Sequence, residues 1–151
     1  MHKKVQYRLA QLTHDSRMAT IRKEILVDAA PETVWEALKD YGALHTRLAV
    51  GFVTDARVEG DDRVITFFNG VVARERLVGI DDGACRIAYS VIESPIGFAQ
   101  HMASAQVFAE GERSRFVWIT DCLPHEAAGV VGDMMSQGLA AMKRTLEAVG
   151  V

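Results

Sequence analysis

The 151-residue sequence predicts an α+β domain. A curled antiparallel sheet of about seven strands packs on one long C-terminal helix, with two short helices after the first strand. Three observations carry this. One alternating segment is followed at once by a proline-opened helix. Six further strand-like segments are then separated by short turn compositions. Finally, Pro124–Val151 keeps its apolar residues at helical spacing. Consecutive short turns imply antiparallel pairing. A sheet that long must curl, and the amphipathic final helix is the element available to cover its concave face.

Thr20–Asp28 alternates around Ile21, Ile25 and Val27 and reads as a strand. Ala30-Pro31-Glu32 opens the first helix, because the missing N–H of proline would be unpaired there anyway. Val34, Trp35, Leu38 and Tyr41 form its buried stripe, and Gly42 stops it. Ala43–Leu48 is a second short helix or turn. The meander then runs through Val50–Glu59, Arg63–Asn69, Val71–Ile80, Cys85–Ile92, Phe98–Ala109 and Arg113–Leu123. Between these strands stand Gly60-Asp61-Asp62, Asn69-Gly70, Asp81-Asp82-Gly83, Ser94-Pro95-Ile96-Gly97 and Glu110-Gly111-Glu112, all turn compositions. In the final helix Val131, Met134, Met135, Gly138, Leu139, Met142 and Leu146 share one stripe. Methionines make that stripe adaptable. Gly129, Gly132 and Gly138 each cost roughly 1 kcal/mol of helix propensity relative to alanine. That cost is expected where space beside the helix is wanted.

Composition bounds the function. A net charge of −3, with 49% hydrophobic and 25% charged residues, describes an ordinary globular chain with no general attraction to nucleic acid or anionic membrane. No apolar run reaches the roughly 20 residues that span a bilayer. Residues 1–18 are polar and mixed in charge. They read as an N-terminal extension without fixed structure, ahead of a domain over 19–151. Lacking an apolar secretory segment, the chain is expected in the cytoplasm. Cys85 and Cys122 have no Cys or His neighbour at ligand spacing and are expected as free thiols. His45, His101 and His125 are not at metal-ligand spacing either, so neither a metal nor another cofactor is expected. No phosphate-binding glycine loop, nucleophile elbow or aromatic–basic alternation is present.

The element order is that of the helix-grip fold, and the chain resembles the START-like (SRPBCC) superfamily. The residues carrying the resemblance are Ala30-Pro31-Glu32-Thr33-Val34-Trp35, Glu75-Arg76-Leu77 leading into Ile80-Asp81-Asp82, Tyr89-Ser90-Val91, and Val117-Trp118 ahead of Pro124. That superfamily includes lipid-transfer domains, plant hormone receptors and bacterial polyketide cyclase/dehydrase proteins. The resemblance implies a deep apolar cavity between sheet and C-terminal helix. It also implies that Glu75 points inward and that Asn69-Gly70 and Ser94–Gly97 flank the entrance.

Strand alternation supplies the candidate lining. Ala73, Glu75 and Leu77 share one face of their strand, and Ile87, Tyr89 and Val91 one face of the next. His101, Ala103 and Ala105 form a small apolar wall apart from the histidine, and Met134, Met135, Gly138 and Met142 face them from the helix. Glu75 in an apolar cavity would have a raised pKa and suit acid/base work, or else it pairs with an arginine on a neighbouring strand. Tyr89 offers a ring wall and a hydroxyl. His101 is a hydrogen-bonding or titrating group, or a satisfied core residue. Two facings of the last strand stay open: Arg115, Val117, Ile119 and Asp121 oppose Phe116, Trp118, Thr120 and Cys122.

Three functions fit. The first is binding of a hydrophobic or amphipathic small molecule (lipid, isoprenoid or polyketide-like). The second is a cyclase or dehydratase in which Glu75 or His101 is the base and Tyr89 the proton donor. The third is a protein-interaction module with a vestigial cavity. Binding without chemistry comes first, because no matched acid–base pair stands at close spacing.

Overall fold

The computed structural model of the chain describes residues 17–149. Nearly all of the expected N-terminal extension, and the last two residues of the expected final helix, lie outside them. Strand β1 (Ala19–Val27) leads into helix α1 (Pro31–Lys39) and a one-turn π-helical segment, Leu44–Leu48. Six strands follow: β2 (Val53–Glu59), β3 (Asp62–Phe67), β4 (Val72–Asp81), β5 (Arg86–Glu93), β6 (Gln100–Glu110) and β7 (Arg113–Leu123). A single 3₁₀ turn, His125–Ala127, precedes helix α2 (Ala128–Val149). The final helix therefore starts four residues later than its periodicity predicts. Pro124 is extended and closes only that short turn.

The seven strands form one sheet in the order β1-β7-β6-β5-β4-β3-β2. Every pairing is antiparallel, as the short turns require. β7 pairs with both β1 and β6 without a register shift, which resolves its facing. Phe116, Thr120 and Cys122 are buried on the concave face together with the half-buried Trp118. Asp121 points the other way and accepts a hydrogen bond from Thr20.

α1 buries Val34, Trp35, Ala37 and Leu38, and Trp35 Nε1 donates to Asp82 in the β4–β5 turn. α2 is tied down through its C-terminal half. Lys143 Nζ donates to the Leu26 carbonyl at 2.9 Å, and Thr145 Oγ1 accepts from the Val50 N–H at 3.1 Å. Leu139, Ala141, Met142 and Leu146 complete a large core there with Phe116, Ile65 and Val34. A smaller cluster, Ala19, Cys122, Ala127, Val131 and Met135, packs the N-terminal end of α2. Both cysteines are free thiols, Cys122 buried and Cys85 half-buried. Among the described residues, no helix is long and apolar enough to cross a membrane.

Candidate functional site

A cavity of about 260 Å³ lies between the N-terminal half of α2 and the concave sheet. Its walls alternate up the strands as a pleated sheet demands: Ala73 and Glu75 from β4, Tyr89 and Val91 from β5, His101 from β6, Trp118 and Thr120 from β7. Val130, Val131, Met134 and Met135 close it from the helix. Asn69, Val71, Ser94, Pro95, Ile96 and Phe98, from the β3–β4 and β5–β6 connections, form its mouth. Those are the two loops that the resemblance placed at the entrance. A second void of about 60 Å³ lies deeper, against Leu38, Ile65, Ile87, Ala105, Phe116 and Met142.

The predicted lining residues divide between these spaces. Ala73, Val91, His101, Met134 and Met135 line the larger cavity, whereas Ile87, Ala105 and Met142 line the smaller. Glu75 and Tyr89 border both. Leu77 and Ala103 share the predicted faces but border neither void. Leu77 packs against the main core, and Ala103 is 1% exposed. Gly138 does not supply empty space. A methyl group there would lie 3.0 Å from Trp118 and 3.2 Å from Phe52, so the room beside this glycine is already filled by two aromatic rings. Phe52, Phe67 and Trp118 are lining residues that the alternation did not single out. Phe52 fell in the predicted strand Val50–Glu59, but β2 begins only at Val53 and leaves Phe52 in the preceding turn, and Trp118 lay on the strand whose facing was open.

Of the two roles open to Glu75, arginine pairing is the one found. Arg63 Nε donates to Glu75 Oε1 at 2.8 Å, and both side chains are less than a tenth exposed. The isolated carboxylate on which the acid/base role rested is therefore not what the site contains. Arg63 also donates to the Tyr41 carbonyl at 3.2 Å and lies over the rings of Tyr41 and Tyr89, at 4.1 and 5.2 Å from their centroids. Tyr41 Oη donates to the Glu75 carbonyl at 2.8 Å. Burial pushes the phenol pKa of both tyrosines above the ordinary value. The sequence marks the turn at Asn69-Gly70 but not the register that chooses the partner of Glu75. The β3–β4 ladder is centred on Asn69, and a hairpin turning there sets Arg63 directly opposite Glu75.

His101 interrupts the sheet. The β5–β6 ladder ends at Tyr89↔Ala103, and beyond it the strands part around the imidazole. Nδ1 accepts the Val91 N–H at 2.9 Å in place of a strand carbonyl. Burial lowers the ring's pKa to about 4, so the imidazole is neutral near pH 7. With Nδ1 an acceptor, the proton sits on Nε2, which makes no hydrogen bond among the described residues. Phe98 and Tyr89 flank the ring, at centroid distances of 4.9 and 6.1 Å. Tyr89 Oη accepts from Trp118 Nε1 at 3.0 Å. At the mouth, Ser94 Oγ is buried with no hydrogen-bond partner among the described residues. The larger cavity thus presents apolar walls and a few neutral polar groups. Its one charge, on Glu75, is met by Arg63. Among the described residues, no cluster of His, Cys, Asp or Glu could hold a metal ion.

Known proteins share this architecture. XoxI from Bacillus cereus superposes with a TM-score of 0.78 at 21% identity, over 89% of this chain and 99% of its own. A START superfamily protein from Mycobacterium smegmatis superposes with a TM-score of 0.66 at 12% identity, over 85% and 94% of the two chains. Ginseng major latex-like protein 151 from Panax ginseng gives 0.71 at 16% identity, over 87% and 96%. At such identities the likeness speaks for the fold alone. No curated protein matches the chain. The family described as polyketide cyclase / dehydrase and lipid transport matches residues 18–147, from the head of β1 nearly to the end of α2. By that match the chain belongs to the polyketide cyclase / dehydrase and lipid transport family, and its helix-grip architecture is the fold it shares with the START superfamily structure.

Proposed function

We propose that the protein binds a small, neutral, mostly apolar molecule in the larger cavity, oriented by one or two hydrogen bonds. The observation that carries this is the lining itself. About 260 Å³ is lined mostly by apolar side chains, just below the roughly 300–1,000 Å³ range of small-molecule sites. The only charge on its walls is already paired. An ionic ligand would arrive with an unmet charge in a poorly solvating space, at a cost of several kcal/mol. A carbonyl or hydroxyl instead meets the Nε2–H of His101, and Ser94 Oγ can donate or accept beside it. Lipid fragments, isoprenoids and aromatic polyketides with such a polar end are the matching classes.

Binding without chemistry is favoured over a cyclase or dehydratase activity. Both reactions need a free base. Glu75 is held by Arg63, and the basic nitrogen of His101 is occupied by a backbone N–H. The remaining groups, His101 Nε2 and the Tyr89 hydroxyl, are donors.

Native mass spectrometry of the purified protein, with titration of the neutral dye N-phenyl-1-naphthylamine, tests the reading. A co-purified neutral ligand, or saturable dye binding that His101→Ala weakens, supports it. Failure of the intact protein to bind either leaves the cavity without a ligand role. Turnover of a polyketide-like substrate that His101→Ala abolishes would restore the enzymatic reading.

A further inference from the structure

The two voids are not independent. Phe52, Phe67, Glu75, Tyr89 and Trp118 border both, so these side chains form the layer between them. Within that layer the rings of Trp118 and Phe52 rest directly on α2 at Gly138, where a Cβ would press against them at 3.0 and 3.2 Å. The indole is also held by its hydrogen bond to Tyr89 Oη. On the far side of this layer is apolar space that no side chain fills, beside Ile65, Ile87 and Met142.

We propose that Trp118 and Phe52, seated on Gly138, are the floor of the ligand site and set the length of molecule it accepts. Removing either ring joins the outer cavity to the inner void and admits a longer apolar chain. Gly138 is the positioning residue, because the bare helix backbone lets both rings close the gap without being pushed aside by a Cβ. The inference rests on the small-molecule reading above and adds its size limit.

Displacement of N-phenyl-1-naphthylamine by a homologous series of straight-chain 1-alkanols tests the floor. In a growing chain each buried methylene is worth about 0.8 kcal/mol, or roughly fourfold in affinity. Wild-type affinity is expected to rise at that rate and then stop at one chain length. In Trp118→Ala the rise should continue for at least two more methylenes, a gain of roughly 15-fold for the first chains that the wild type rejects. The readout is the chain length at which the rise stops, because Trp118 also lines the outer cavity and its loss can shift the affinity of every alkanol. Phe52→Ala opens the same floor from its other half, and decides the matter if Trp118→Ala does not fold. An unchanged cut-off in a folded variant overturns the floor while leaving the cavity reading intact. A wild type that binds neither dye nor alkanol overturns both.

Discussion

The neutral state of His101 follows from its placement. An imidazole wedged between two parting strands must satisfy the Val91 N–H, and only an unprotonated Nδ1 can do so. The consequence is a pH dependence of stability. The ring's folded pKa of about 4 lies below the ordinary 6.5, so as pH falls the unfolded chain takes up the proton first. The stability contributed by His101 is fully present above about pH 6.5 and is lost between there and about pH 4. Partial solvent access limits the loss to on the order of 2 kcal/mol. Urea midpoints across that range should show it. His101→Gln, whose amide oxygen can still accept the Val91 N–H, should have a shallower slope. Equal slopes would assign the effect to other groups. The Arg63–Glu75 pair makes the second residue-scale prediction. Glu75→Gln leaves the Arg63 charge buried and unmatched, at a cost of about 3 kcal/mol or more. The paired replacement Arg63→Met with Glu75→Leu should cost less than Glu75→Gln alone. A double mutant as damaged as the single one would mean that packing, not charge, dominates there.

Helix α2 has two halves with different tasks. Its C-terminal half is anchored to the backbone before α1 and β2 and closes the main core. Its N-terminal half roofs the larger cavity with Val130, Val131, Met134 and Met135, side chains that can adjust to a ligand. The glycines separate on the same line. A methyl group at Gly132 would meet Ile21 and Lys23 at an ordinary 3.8 Å, whereas at Gly138 it would press on Trp118 and Phe52. Gly132→Ala should therefore raise stability by about 0.5–1 kcal/mol through helix propensity. Gly138→Ala should lower it and shift the Trp fluorescence, since a rigid indole must move. Thermal melts and emission spectra of the two variants distinguish the cases. Equal stabilisation by both would mean that the rings yield freely, and the aromatic floor would lose its support.

At the scale of the molecule, the fold trades packing for an enclosed space. The main core and the cluster at the head of α2 hold the sheet and helix together on either side of the larger cavity. On the proposed function, a ligand there would complete the apolar contacts between them and bind only the folded state. At a free concentration 100 times its Kd it should add about 2.7 kcal/mol to unfolding. For a chain of this size that corresponds to roughly 5–10 °C in Tm. N-phenyl-1-naphthylamine serves as the probe in a thermal shift assay. A saturating dye signal with no rise in Tm would place the dye on the unfolded or outer surface instead.

Element order, and the grouping of residues on the faces of most strands, were determined by the sequence alone. Period-two alternation groups Ala73 with Glu75, Ile87 with Tyr89 and Val91, and His101 with Ala105, the family resemblance turned the face of Glu75 inward, and period-3.6 spacing sets Met134, Met135 and Met142 on one helix stripe. Antiparallel pairing follows from turn length. What the tertiary structure decided are the relations between elements. Alternation names a face but no partner, so the pairing of Glu75 with Arg63 waited on the β3–β4 register. β7 carries apolar residues on both sides, so its inward set was fixed only by its in-register pairing with β1 and β6. The space that the glycines were expected to leave proved to be occupied at Gly138, because Phe52, expected in a strand, lies in the turn before β2 and reaches the helix with Trp118. Local sequence encodes local geometry. Which void stays open depends on contacts between residues far apart in the chain, and those exist only once the sheet has curled around α2.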